Sequence, residues 1–174
     1  MTAAVFVDTN VLLYARDQSE LVKRVRAKAW LDHLWRERLG RTSIQVLSEF
    51  YYNATRKLHP GMTSEDAWGR IQTYFAWSPQ PIDQALLARA HEVEQRYRLS
   101  WWDSMVVGAA QLQGCAVLLT EDLQDGAIFD GVTVRSPFTL DVREPAAGYA
   151  VPPVASPRHR PRGRPRRPHP GPPP

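Results

Sequence analysis

The sequence predicts an α/β fold: a three-layer α/β/α sandwich around a short-stranded parallel sheet. Three observations lead there. "VFV" at 5–7 and "AVLLT" at 116–120 are unbroken apolar runs, the pattern of strands buried on both faces. Long segments with helical spacing lie between them, and alternation of strand with helix is the mark of parallel pairing. Cap and breaker residues punctuate those segments at helical lengths.

The elements follow in order. Residues 5–7 form the first strand, and Val11–Ala15 a short helix. Ser19 is placed to cap a second helix. Its apolar positions Leu21, Val22, Val25, Ala29, Leu31, Leu34, Trp35 and Leu39 recur at roughly helical spacing, and Gly40 ends it. "RTSIQ" at 41–45 has room only for a short strand. A third helix runs through "VLSEFYYNATRKL" and stops at "HPG", 59–61. Thr63 with Asp66 makes a capping box for a fourth helix over 64–77. Pro79 and Pro81 bracket a short extended piece. Asp83 caps a fifth helix running to about Leu99, and Ser100 a sixth over 101–113 that Gly114 terminates. "VTVRS" at 132–136 is a last short strand.

Composition narrows the function classes. The one cysteine, Cys115, excludes an internal disulfide and fits a reducing compartment. No apolar run reaches the ~18 residues of a membrane span, and no basic segment precedes the first apolar stretch, so neither a membrane anchor nor a signal peptide is expected. The protein is read as cytoplasmic. The net charge of +4 is unevenly distributed. Residues 151–174 hold six arginines, ten prolines and no acid; setting those arginines aside leaves 16 Lys and Arg against 18 acids in residues 1–150. The body is thus slightly acidic. The proline-rich segment has neither the amide donors nor the apolar side chains for a helix or a core, and extended disorder is expected. It serves either as a polyanion tether or as a tolerated extension, the second being the working expectation.

Asp8 poses the chemical question. A carboxylate at the end of a buried strand is costly without a partner. By the rule that ligands collect at the carboxyl ends of parallel strands, Asp8 and Asp122 share one rim if the strands at 5–7 and 116–120 are neighbours; Asp125 follows close behind. Asp103 lies in the first turn of the helix at 101–113, and Glu49 sits mid-helix among large apolar residues. Each acid has an ordinary structural reading: Asp8 and Asp103 as helix caps, Glu49 as a solvated helix residue, Asp122 and Asp125 as loop acids. Taken together, carboxylates with hydroxyl or amide neighbours (Thr9, Asn10, Ser104, Thr120) suggest convergence. Converging carboxylates need protons or a hard cation between them. An all-oxygen set without a Cys/His cluster suits Mg²⁺ or Mn²⁺, and His33, His59 and His91 are scattered over separate helices. Such an ion activates water and stabilises the leaving oxygen in phosphate-ester hydrolysis. Replacing Asp8 by Asn is then expected to abolish activity and, by relieving repulsion, to stabilise the metal-free protein.

"VFVDTNVLLYA", Glu49, "WWDSMVVGAA" and "LLTEDLQDG" together resemble the PIN-domain ribonucleases, and more narrowly the VapC toxins of bacterial type II toxin–antitoxin modules. The match runs in motif order through nearly all of residues 3–140. It implies a PIN-like nuclease domain over 1–144; the Pro/Arg-rich composition that follows reads as a disordered tail over 145–174. It further implies Mg²⁺- or Mn²⁺-dependent endonucleolytic cleavage of RNA, a homodimer, and a cognate antitoxin that covers the groove. By the same resemblance Asp8, Glu49, Asp103 and Asp122 are catalytic and bind metal. Asp125 is the alternative fourth ligand, and Thr9, Asn10, Ser104 and Thr120 are supporting polar residues. Two features depart from the family pattern. One is the tail. The other is the pair Trp101–Trp102, for which packing beneath the site is expected ahead of stacking on bases. The competing readings are an RNA-processing PIN nuclease that is not a toxin, a non-catalytic PIN-fold binding module, and, more distantly, a haloacid-dehalogenase-type phosphatase. The last wants an aspartate where this chain has Asn10.

Overall fold

The computed structural model describes residues 3–140. The tail expected at 145–174 lies outside the described residues, as does the domain end expected at 144.

The elements are β1 (Val5–Val7), α1 (Thr9–Tyr14), α2 (Leu21–Glu37), β2 (Gly40–Arg41), α3 (Ile44–Arg56), α4 (Ser64–Tyr74) with a 3-10 turn (Phe75–Trp77), α5 (Gln84–Tyr97), α6 (Trp101–Leu112), β3 (Val117–Leu119), β4 (Ile128–Phe129) and β5 (Val132–Arg135). The sheet order is β2-β1-β3-β5-β4. All pairings are parallel except β4 with β5. Successive residues of a strand point to opposite faces. Val5, Phe6 and Val7 are nevertheless all buried, as are Val117, Leu118 and Leu119, so helices cover the sheet on both sides. Helix α1 packs against both α2 and α3, α3 packs on α4, α5 on α6, and α6 on β3 and β5. The α/β expectation is met.

The register places the site. Val7 pairs with Leu119, and the Asp8 N–H donates to the Leu119 carbonyl at 3.1 Å. The chain therefore leaves β1 and β3 side by side, with Asp8 and the segment after Thr120 on one rim.

Several boundaries differ from the sequence expectation, each for a physical reason. Ser19 does not cap α2, because its N–H and hydroxyl are both taken by Asp17 at 2.9 and 2.6 Å; Glu20 is the residue before the helix. Nor does Gly40 end α2: Arg38 does, in the left-handed region at φ 58°. Gly40 instead joins the sheet beside Val5, where a Cβ would lie 2.4 Å from the Trp77 ring. In α2, Leu21, Val22 and Val25 are exposed, and the buried face is Ala27, Trp30, Leu31 and Leu34. At 3.6 residues per turn these are two roughly opposite faces, which a list of apolar positions merges into one. The strand expected at 41–45 shortens because Ser43 caps α3, accepting from the Val46 N–H at 3.2 Å. The segment between Pro79 and Pro81 pairs here, Gln80 exchanging hydrogen bonds with Thr42 and Ile44. The hairpin partner β4 was not expected; its signal is Asp130-Gly131, whose positive φ angles of 46° and 88° suit a two-residue hairpin turn.

Candidate active site

Asp8 is wholly buried and fully occupied. One carboxylate oxygen accepts from the Thr9 N–H at 2.7 Å, which caps α1. The other accepts the Thr120 hydroxyl at 2.7 Å and lies 3.5 Å from Asn10 Nδ2. Thr120 Oγ1 in turn accepts from Asn10 Nδ2 at 2.9 Å and from the Asp122 N–H at 3.1 Å. Asn10 Nδ2 also donates to Asp122 Oδ2 at 3.0 Å. Asp8 and Asp122, 114 positions apart, thus share one amide and one hydroxyl.

Glu49 joins from α3. Its carboxylate accepts the Thr9 hydroxyl at 3.2 Å and the Gln45 amide at 2.9 Å. Gln45 Nε2 also reaches the Trp102 carbonyl at 3.3 Å, tying α3 to the first turn of α6. Asp103, the next residue, is 2 % exposed. Its Oδ2 accepts the Ser100 hydroxyl at 2.7 Å while its N–H donates to Ser100 Oγ at 3.1 Å, the capping box read from the sequence. Asp8 thus caps α1 and is joined to Asp122, whereas Asp103 closes the capping box that Ser100 makes at the start of α6, one residue after the Trp102 carbonyl that Gln45 reaches.

Asp125 is not brought to this group. Its Oδ1 accepts from Arg135 Nε at 3.2 Å and from the Ser136 N–H at 2.8 Å, fastening its loop to the end of β5. Glu121 is turned away too, paired with Lys23 at 2.8 Å. That lysine also donates to the Tyr14 hydroxyl at 3.0 Å and lies over the Tyr14 ring. Burial opposes its charge, but the bonds to Glu121 and Tyr14 outweigh burial and hold its pKa above the usual lysine range. Lys23, the first of the four basic residues Lys23, Arg24, Arg26 and Lys28 in α2, is therefore committed to the fold.

Above the acids opens a cleft of about 580 Å³. Its lining includes the polar residues Thr9, Asn10, Glu49 and Asp122, the apolar or aromatic residues Leu13, Tyr52, Ile82 and Trp102, and Lys57. Trp101 packs against the core as expected. Trp102 does not: it is 46 % exposed, since the next position on a helix is turned by about 100° from the buried one. Sequence reasoning missed Gln45, Leu13 and Ile82. The spacing of Gln45 to Glu49, one helical turn, was the signal for the first; Ile82 offers none.

The donor set suits a hard divalent cation, being carboxylates with hydroxyl and amide oxygens and no nitrogen or sulfur ligand nearby. Asn10 Oδ1 and Ser104 Oγ, beside Asp8 and Asp103, are buried without a hydrogen-bond partner, so polar capacity is left over next to the acids. Among the described residues, no three His, Cys, Asp or Glu side chains stand together as a ready-made ligand set. The hydroxyl and amide bonds just described hold the carboxylates instead.

A sequence profile described as PIN domain matches residues 5–124. No curated protein matches the chain by sequence. Among solved structures, the chain is similar to FitAB bound to an IR36 DNA fragment, at 19 % identity over 80 % of this chain and 99 % of that one, with a TM-score of 0.60. It is also similar to a toxin–antitoxin complex from Klebsiella pneumoniae, at 24 % identity over 78 % and 98 %, with a TM-score of 0.50. Mycobacterium tuberculosis VapC20, described as a Sarcin-Ricin loop cleaving toxin, aligns at 19 % identity over 66 % and 87 %, with a TM-score of 0.49.

Proposed function

The chain belongs to the PIN domain family, and from that premise we propose that its acidic cleft is the active site of a metal-dependent endoribonuclease, the toxin of a toxin–antitoxin pair. The observation that carries the reading is the joining of Asp8 and Asp122 through Asn10 and Thr120, at the rim of two paired parallel strands and beneath an open cleft. Asp8, Glu49, Asp103 and Asp122 would hold Mg²⁺ or Mn²⁺. Bound there, the ion supplies Lewis-acid activation of water and neutralises charge on the phosphodiester. Thr9, Asn10 and Thr120 fix the orientation of the carboxylates. One carboxylate positions the attacking water and takes its proton. Lys57, on the cleft wall, faces the strand's phosphates and offsets the acidity of the surrounding body. The likeness to the Klebsiella pneumoniae toxin–antitoxin complex supports an antitoxin partner. A cytoplasmic location and a homodimer complete the proposal; no described helix is long and apolar enough to cross a membrane.

The test is cleavage of a labelled RNA by the full chain with Mg²⁺ or Mn²⁺, with EDTA, and by Asp8→Asn and Asp103→Asn. Cleavage is expected only with metal, and in neither variant. Equal cleavage in EDTA overturns the mechanism. A second reading, a PIN-fold binding module without catalysis, draws on the inward bonding of Asp8 and Asp103 to their own helix starts. It predicts no cleavage under any of these conditions. Growth arrest on induced expression, relieved by the product of a neighbouring gene, separates a toxin from an RNA-processing nuclease.

A further inference from the structure

A second cavity, of about 170 Å³, lies between the end of α1, the middle of α2 and the last turn of α4. It shares no lining residue with the acidic cleft: Asp8 caps the start of α1, whereas Arg16 stands just past its end. Three cations line it, Arg16, Lys28 and Arg70, against one acid, Asp32. Asp32 pairs with none of them, and among the described residues none of the three makes an ion pair. Arg16 is half-buried. Burial holds its guanidinium below the usual arginine range, Arg70 and Arg24 repel it further, and Tyr74 opposes them. Tyr74 lines the same cavity, is buried, and donates no hydrogen bond to a described residue. Burial pushes its hydroxyl up to about 12 against the pull of Arg16 and Arg70, so both guanidiniums act on that oxygen. The hydroxyl therefore keeps its proton and can donate it in a hydrogen bond. The Trp35 ring, 5.7 Å from that of Tyr74, holds the phenol in place.

We infer that this cavity binds a phosphate monoester, held by Arg16, Lys28 and Arg70 with the Tyr74 hydroxyl as a further donor. The inference is independent of the nuclease reading above. Three cations against one acid leave two positive charges unmatched, which suits a dianion. A phosphate monoester carries about −1.5 to −2 charge near neutral pH and three acceptor oxygens. A carboxylate brings a single charge and fewer acceptors. Guanidinium groups match phosphate oxygens in pairs, and two of them face this space. A phosphodiester has a single charge and a chain that continues on both sides. The cavity is small beside the acidic cleft of about 580 Å³, so it fits a terminal group better than a strand passing through. The bound anion relieves the repulsion between Arg16 and Arg70 in a partly desolvated place. Because three helices each supply a cation or its neighbour, occupancy ties α1, α2 and α4 together and favours the folded chain.

The experiment is titration calorimetry of the full chain at fixed ionic strength and about pH 8, where the monoester is a dianion. EDTA is present throughout, so no ion at the acids can bind phosphate. The probes are inorganic phosphate, AMP, the dinucleotide ApA, whose phosphate is a diester, and acetate. Phosphate and AMP are expected to bind, and ApA and acetate at least about tenfold more weakly, for want of a charge-assisted contact. Arg16→Gln is expected to lose about 10- to 150-fold in phosphate affinity. The exposed Arg70→Gln loses less, and Tyr74→Phe about 2- to 10-fold, the worth of a neutral donor. AMP binding no tighter than phosphate makes the free ion a sufficient ligand; tighter AMP makes a nucleotide the source. The melting midpoint of wild type rises with added phosphate, and that of Arg16→Gln does not. A wild type that binds neither phosphate nor AMP at millimolar concentration overturns the proposal. So does full phosphate affinity in both arginine variants, which puts the anion elsewhere. ApA or acetate bound as tightly as phosphate overturns it too, and acetate then assigns the cavity to an acidic side chain of a protein partner. Circular dichroism identifies any variant that fails to fold, and the remaining variants then decide.

Discussion

Replacing Thr120 by valine tests whether the hydroxyl at the centre of the site holds the fold as well as the carboxylates. Thr120 is wholly buried, and valine keeps its shape. The substitution removes a donor to Asp8 Oδ2 at 2.7 Å and an acceptor for Asn10 Nδ2 at 2.9 Å and the Asp122 N–H at 3.1 Å. The first bond is charge-assisted and contributes about 1.5–3 kcal/mol. The other two contribute less, since Asn10 Nδ2 keeps Asp122 as an acceptor and water reaches the exposed Asp122 segment. A loss of about 2–4 kcal/mol is expected, a large part of the ~5–15 kcal/mol that holds a domain together. At roughly 2–4 °C per kcal/mol for a domain of this size, the melting midpoint falls by about 5–15 °C. Calorimetry in EDTA at neutral pH reads this directly. Thr120→Ser is the control, because it keeps the hydroxyl and loses only a methyl group, about 1 kcal/mol. A valine variant as stable as the serine variant would refute the hydroxyl's role.

Asp8→Asn is expected to lower stability by about 1–3 kcal/mol, because both carboxylate oxygens accept and an amide would point its N–H₂ at the Thr9 N–H or the Thr120 hydroxyl. This reverses the sign expected from charge repulsion, and a raised melting midpoint in EDTA would restore the repulsion argument. Gly40→Ala drives a methyl to 2.4 Å from the indole of Trp77, which Trp35 and Tyr74 hold in place. A loss of about 1–3 kcal/mol in urea unfolding is expected, and an unchanged midpoint would show that the ring yields. Burial pushes the Cys115 thiol from 9.0 up to about 12. It should therefore resist a thiol reagent at pH 8 until the chain is denatured, and rapid labelling of native protein contradicts its burial. With a folded value above the unfolded one, its contribution to stability is complete below pH 9 and disappears as pH rises towards 12. Cys115→Ala should flatten that alkaline decline. Tyr74, raised to about 12 by burial, adds to the decline in both proteins.

The parts of the fold that were legible are those governed by local rules. Ser100, Asp83 and Thr63 cap their helices through the residues three positions on, as their spacing states. The buried strands at 5–7 and 117–119 are apolar without alternation because both faces are covered. The rest depended on distant partners. Leu21, Val22 and Val25 fit a helix but face solvent, since which stripe of α2 is buried is decided by what packs against it. Trp101 and Trp102 are identical in sequence terms and opposite in role, because only one of two adjacent helical positions can face the core.

The sequence by itself determined the α/β alternation, the caps, and the placement of Asp8 and Asp122 just past two buried strands, because propensity, periodicity and capping act over a few residues. Only the tertiary structure decided that β1 lies beside β3, that Asn10 and Thr120 join Asp8 to Asp122, and that Asp125 turns to Arg135 and Ser136. Those outcomes depend on register and on which donor reaches a carboxylate first. Both are properties of packed surfaces, fixed by contacts between residues that spacing along the chain does not relate.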